Sequence, residues 1–310
     1  MNDQAENLRR AIKRISAARV RRVSAIDIDT PARVDGNQAR VITVTSGKGG
    51  VGKTSVSVNL ALALAGMNKK PLIIDADAGL SNVEVLFGII PKYSFLDVLN
   101  NEKTVREIIC DGPNGVKLIS GGSGADVFAR IADTHMTPFI SELAVIDGEF
   151  DVIIIDTGAG ISETVLNMAV AADDAVVITT PEPTSVTDAY TLIKAIVLRE
   201  RGKSVRLIVN KADNEAEAAD IMSRLEQVTG KFLDLKLQKL GYILNDPLVV
   251  KSVKQQLPFM LSAPQSPTSR RVAEIAGRLM DGVSYSPFPQ GRGLSGFLNG
   301  IAKFVNIQVK

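Results

Sequence analysis

Apolar residues in this chain gather in short, β-branched runs: "RVITVTS", "PLIIDAD", "GVKLISGG", "DVIIIDT", "AVVITTP", "VRLIVNK" and "KLGYIL". Stretches with a helical period lie between them. Runs of this kind, apolar at nearly every position instead of every second one, predict strands covered on both faces. Such strands imply a mostly parallel sheet joined by right-handed helical crossovers. The predicted fold is a doubly wound α/β domain over residues 39–282, with helices on both faces of the sheet. Ligands of such sheets bind at the carboxyl ends of the strands, where Ser46, Asp75 and Asp156 fall. An N-terminal arm (1–38), a linker marked by Pro and Gly (283–293) and a tail (294–310) flank the domain.

Composition narrows the picture in three ways. With 45% apolar residues, the 310-residue chain can supply a sizeable core. A formal charge of +2 argues neither for nor against a nucleic-acid partner, so any basic footprint must be local. A single cysteine, Cys110, and a single histidine, His135, leave no disulfide framework and no plausible all-protein zinc or iron–sulfur site. The charged N-terminus has no apolar signal core, and no run approaches the roughly 18 apolar residues of a membrane span. The expectation is a cytoplasmic chain that does not cross the membrane.

The chemistry is concentrated in "TVTSGKGGVGKTSVSVNLA", residues 43–61. Gly47 through Thr54 fits G-x-x-x-x-G-K-[ST] between an apolar strand and a helical run. Glycines let backbone N–H groups turn in around phosphate oxygens, and the helix that follows points its positive end at them. Lys53 neutralises phosphate charge, and the Thr54 hydroxyl suits Mg²⁺. The expected cradle is Gly47, Lys48, Gly49, Gly50, Val51, Gly52, Lys53, Thr54 and Ser55. Asp156, ending a buried strand, suits a cation held through water, and Gly158 and Gly160 give the next loop room to move. A strand-end aspartate taken alone is equally a helix cap. The Asn210 amide suits a base edge or a turn.

Lys48 makes the loop K-G-G-x-G-K-[ST], and with it the sequence resembles the MinD/ParA ATPases with a deviant Walker A motif. That resemblance implies an ATP- and Mg²⁺-dependent ATPase that dimerises on ATP. Lys48 would reach the partner's nucleotide, and Asp77 would orient or deprotonate the attacking water and join Thr54 and Asp156 at the metal. Asp75 and Asn82 would support the first switch, and Asn210 would meet the adenine. Reductases similar to the nitrogenase iron protein share the loop but hold a cluster with two cysteines per subunit; this chain has one. Thr157-Gly158 stands where MinD proteins usually show a proline, so details of their second switch do not transfer.

"PEPTSVTDAYTLIKAI", "FLDLKLQKLGYILND" and "VVKSVKQQLPFMLSAPQSPTSRRVAEIA" resemble the flagellar-number regulators, the FlhG (FleN) branch. "DQAENLR" resembles the segment with which that branch stimulates FlhF, a signal-recognition-particle-type GTPase. The resemblance assigns partner activation to Asp3, Gln4, Ala5, Leu8 and Arg9, and adds a flagellar transcription activator as partner in some relatives. The arm is basic, with Arg10, Lys13, Arg14, Arg19, Arg21 and Arg22 following Arg9. A solvated tail is the plainer reading of such a run, and an arm that folds only on binding fits both.

In "GLSGFLNGIAKFVNIQVK" a helical period puts Leu294, Phe297, Leu298, Ile301, Phe304 and Val305 on one face. Such a helix suits an anionic membrane surface or a groove on its own domain. The membrane reading follows the family and implies peripheral location at the inner face of the cell membrane with ATP bound. A cargo-partition ATPase binding DNA nonspecifically, or a division-site regulator, is the alternative; no specific nucleic acid is expected.

Overall fold

The structure, a computed structural model, describes residues 38–77, 82–122, 146–281 and 293–307, with side chains described as far as Ile301 in the last segment. Asp3, Gln4, Ala5, Leu8 and Arg9, residues 283–292 of the linker, and the side chains of Phe304 and Val305 lie outside that set.

The apolar runs form the sheet expected of them. Strands β1 (Arg40–Ser46), β2 (Pro71–Ala76), β3 (Cys110–Asp111), β4 (Lys117–Ile119), β5 (Val152–Ala159), β6 (Asp174–Thr179), β7 (Ser204–Ala212) and β8 (Gln238–Leu244) lie in the order β3-β4-β2-β5-β1-β6-β7-β8. Neighbours pair parallel except β3, which runs antiparallel to β4 at the edge. Two residues are too few to show a strand pattern, so the sequence reading omits β3.

Alternate side chains along each strand enter separate cores, as the pleat requires. Ile42 and Val44 point with Ile73 and Ile154 toward helix α1 (Lys53–Gly66). Val41 enters the opposite core with Leu72, Ile74, Ile153 and Ile155. After β2 the chain runs through short helices α2 (Asn82–Phe87), α3 (Phe95–Leu99) and α4 (Val105–Ile108). Longer helices follow, α5 (Glu163–Ala171), α6 (Pro183–Arg199), α7 (Glu215–Leu233) and α8 (Pro247–Lys254), then the single turn α9 (Phe259–Ser262) and the long α10 (Pro267–Asp281). Strand β1 sits between β5 and β6, where the winding reverses, so its carboxyl end opens onto a crevice.

The last helix, α11 (Gly293–Ile307), lies against α5. Leu294, Phe297, Leu298 and Ile301, given by their period a membrane or a groove, are all buried with Met168 and Ile155 in this conformation. Gly300 allows the contact: a Cβ there would stand 3.0 Å from the Cβ of Ala171. Among the described residues no helix is long and apolar enough to cross a membrane.

Candidate functional site: the nucleotide loop and its carboxylates

Residues 47–52 turn from β1 into α1, and close neighbours set their glycines. Gly50 and Gly52 have φ of 76° and 92°, the left-handed region that side chains disfavour. A Cβ on Gly52 would lie 2.5 Å from Asn210 Nδ2, and one on Gly47 would lie 2.4 Å from the carbonyl oxygen of Asp188. Both positions therefore require glycine for space. No side chain caps α1, so the amides of its first turn are left to an anion in the loop.

Lys53, on that first turn, is buried near Asp156. Asp156, expected to end its strand, lies within β5, which continues to Ala159; it is fully buried, and its Oδ1 accepts the Ser57 hydroxyl at 2.7 Å. Its Oδ2 has no partner. Burial pushes the Asp156 carboxyl up, while Lys53 and the Ser57 and Thr54 hydroxyls oppose that shift. Asp75 stands beside Asp156 in register on the neighbouring strand. Burial first, and then the Asp156 charge, raise its carboxyl too, although it accepts the Asp77 and Val83 amides at 3.1 Å each. Asp77 reaches the carboxyl end of β5, where a Cβ on Gly158 would lie 3.4 Å from its Oδ1. Asn82 opens α2 just beyond residues 78–81, which lie outside the described set. A hydroxyl, a buried carboxylate with a free oxygen and nearby acids are hard oxygen donors of the kind Mg²⁺ takes.

Lys48 takes no part in this cluster. Its Nζ donates to Glu182 Oε2 at 2.6 Å and to the Thr184 hydroxyl at 3.1 Å, at the start of α6. That bond holds the Glu182 carboxyl below its usual range. The Ser46 hydroxyl fixes the backbone here by donating to the Lys48 carbonyl at 2.8 Å. On the other side, β7 braces the loop. Asn210 Nδ2 donates to the Val51 carbonyl and Lys211 Nζ to the Gly50 carbonyl, both at 2.7 Å. Sequence reasoning brought the loop, Asp75, Asp77 and Asp156 to one end of the sheet but missed Ser57, Glu182, Thr184 and Lys211. Lys211 adjoins Asn210, and Glu182 and Thr184 stand just past a strand's carboxyl end; position in the fold was their only signal.

A doubly wound sheet carrying this loop, with acids beside it, defines a P-loop nucleoside triphosphatase. The family model described as ParA, NUBPL iron-transfer P-loop NTPase, matches residues 37–280, and the chain belongs to that family as an ATPase. Among its relatives are an antiactivator and a flagellum site-determining protein. It is 38% identical to the antiactivator FleN of Pseudomonas aeruginosa over 241 residues, covering 77% of this chain and 86% of FleN. It is 34% identical to the flagellum site-determining protein YlxH of Helicobacter pylori over 269 residues, covering 86% of this chain and 90% of YlxH. The septum site-determining protein MinD of Pyrococcus horikoshii, complexed with Mg-ADP, shares the fold with a TM-score of 0.65 over 80% of this chain and 99% of that one, at 22% identity.

Proposed function

We propose that this ATPase is a dimerising switch, driven by ATP, that sets the number or placement of flagella. The observation that carries the reading is the division between the loop's two lysines. Lys53 is buried in its own cradle, whereas Lys48 lies outside it, 40% exposed and held by an exposed glutamate. Exposed ion pairs of this kind contribute little, so Lys48 can leave Glu182 for the phosphates of a second copy at small cost. Charge added there stabilises the transferring phosphoryl group.

Thr54 and Asp156, with Asp77 beside them, would hold Mg²⁺; the orphaned Oδ2 of Asp156 supports that fit. Bound there, the ion neutralises charge on the phosphate oxygens. Asp77 orients or deprotonates the attacking water. Asp75 holds the start of α2, and with it Asn82, through the Val83 amide, and so supports the first switch. Asn210 fixes the loop through Val51, and its remaining polar atoms are offered to the adenine edge.

The output is spatial. The "DQAENLR" segment stimulates an FlhF-type GTPase through Gln4 and Arg9, and the name antiactivator of the FleN relative supports a transcription activator as a further partner. With ATP bound, α11 leaves its groove and meets an anionic membrane surface, two copies per dimer.

The test is ATP hydrolysis measured against protein concentration. Activity per chain should rise with concentration in the wild type and fall by about 100-fold or more in Lys48→Ala. Concentration-independent turnover that survives Lys48→Ala overturns the mechanism. A peptide of residues 1–25 should stimulate GTP hydrolysis by an FlhF-type GTPase and lose that effect on Gln4→Ala; no stimulation removes the flagellar output.

A further inference from the structure

The roots of the chain's two extensions share one side chain. Asp147 lies at the helical end just before the turn into β5 and is 5% exposed. Its carboxylate accepts hydrogen bonds from the backbone N–H groups of Leu294, in the first turn of α11, and of Ala39, the residue before β1. The N-terminal end of a helix favours a carboxylate, and here the acid comes from a distant part of the chain. Gly293 is matched to it. With φ of 82°, a Cβ there would lie 1.9 Å from Asp147 Oδ2, so another residue would have to displace the carboxylate.

The same side chain makes a costly lock. Asp147 Oδ1 is buried without a partner, and the nearby Asp173 carries like charge. Asp173 in turn accepts the Val41 amide at 2.8 Å, and the Asp151 carbonyl accepts that of Arg40 at 3.0 Å. Asp147 is therefore the outermost of three successive fasteners at the start of β1. Gly293 and Leu294, in the first turn of α11, stand directly against it, so a departing tail opens the carboxylate to water, where both of its bonds compete with solvent.

We infer that Asp147 clamps the roots of the N-terminal arm and the C-terminal tail together, so that undocking of α11 loosens the backbone at Ala39. The arm's anchorage then depends on whether the tail is docked, whatever partner each extension meets.

Amide hydrogen exchange on the full chain tests this without lipid or nucleotide. Asp147→Ala should accelerate exchange about ten-fold or more at Leu294 and Ala39 alike. Gly300→Val displaces the tail by pressing on Ala171 of α5, away from Gly293, and should accelerate exchange along 294–301 and at Ala39 too. Faster exchange along the tail with Ala39 unchanged overturns the inference. So does a tail that stays protected in both variants. Gly300→Val keeps the test valid if Asp147→Ala fails to fold.

Discussion

Lys48 Nζ and Glu182 Oε2 stand 2.6 Å apart across 134 positions of sequence, and the pair lies outside the phosphate cradle. The loop's second lysine is therefore held by α6 while Lys53 occupies the site. A contact that is short but exposed fixes a position without adding much stability, which suits a group that must change partners.

The two lysines should separate binding from turnover. Lys53→Ala removes the cation inside the cradle and is expected to weaken nucleotide binding by about 100-fold or more. Lys48→Ala is expected to leave affinity within about three-fold but cut hydrolysis by about 100-fold or more, since its charge matters as the phosphoryl group transfers. Glu182→Gln should leave the melting temperature unchanged and lower the protein concentration that gives half-maximal turnover. Titration with a fluorescent nucleotide and phosphate-release assays over a range of concentrations read all three. Wild-type hydrolysis by Lys48→Ala would falsify the trans role.

Asn210→Ala leaves the buried Val51 carbonyl without its donor, at a cost of about 1–3 kcal/mol. It also removes the side chain that presses against Gly52. If its work is to brace the loop, ATP and GTP should lose affinity by a similar factor. If it also reads adenine, ATP should lose more. Calorimetric titration of the variant with both nucleotides decides how much of each role Asn210 has.

The sheet was legible because buried parallel strands leave a local mark, a β-branched run apolar on both faces, and each such run is a strand. The loop was legible for the same reason, since its spacing is local and its glycines are required by φ and by close approach. Contacts between distant segments leave no such mark. Nothing in "PEPT" says that Glu182 meets Lys48, and nothing near Asp147 points to Gly293. The tail's period showed one apolar face and not what covers it. Here Ala171 and Met168 cover it, an arrangement that depends on how α5 and α11 cross.

Stability should fall as pH rises. Burial raises the Asp75, Asp147 and Asp156 carboxyls in the folded state, so the folded chain binds more protons than the unfolded one. The stabilisation is complete below the unfolded value of 3.8 and is lost as pH climbs through the folded values. For Asp147 that window runs from 3.8 to about 6 and corresponds to about 3 kcal/mol. Melting temperature without nucleotide should therefore decrease from pH 5 to pH 7, and Asp147→Asn should flatten the part of the slope below about pH 6. A slope unchanged by that substitution removes Asp147 as its source.

Two substitutions on α11 should move membrane binding in opposite directions. Gly300→Val adds bulk where a Cβ already lies 3.0 Å from Ala171, so it should push the helix out of its groove at a cost of about 1–3 kcal/mol. The apolar face it releases is intact, so binding to anionic vesicles should rise even without ATP. Phe297→Ala also weakens docking, because Phe297 is buried and its loss leaves a cavity worth about 3–5 kcal/mol. Here the released face lacks one of its two phenylalanines, so vesicle binding should fall below that of Gly300→Val and stay low with ATP. Flotation of both variants with and without ATP separates the effects. If neither variant floats more than the wild type without ATP while proteolysis shows α11 released, the helix is a structural closure of the domain and its apolar face has no membrane role.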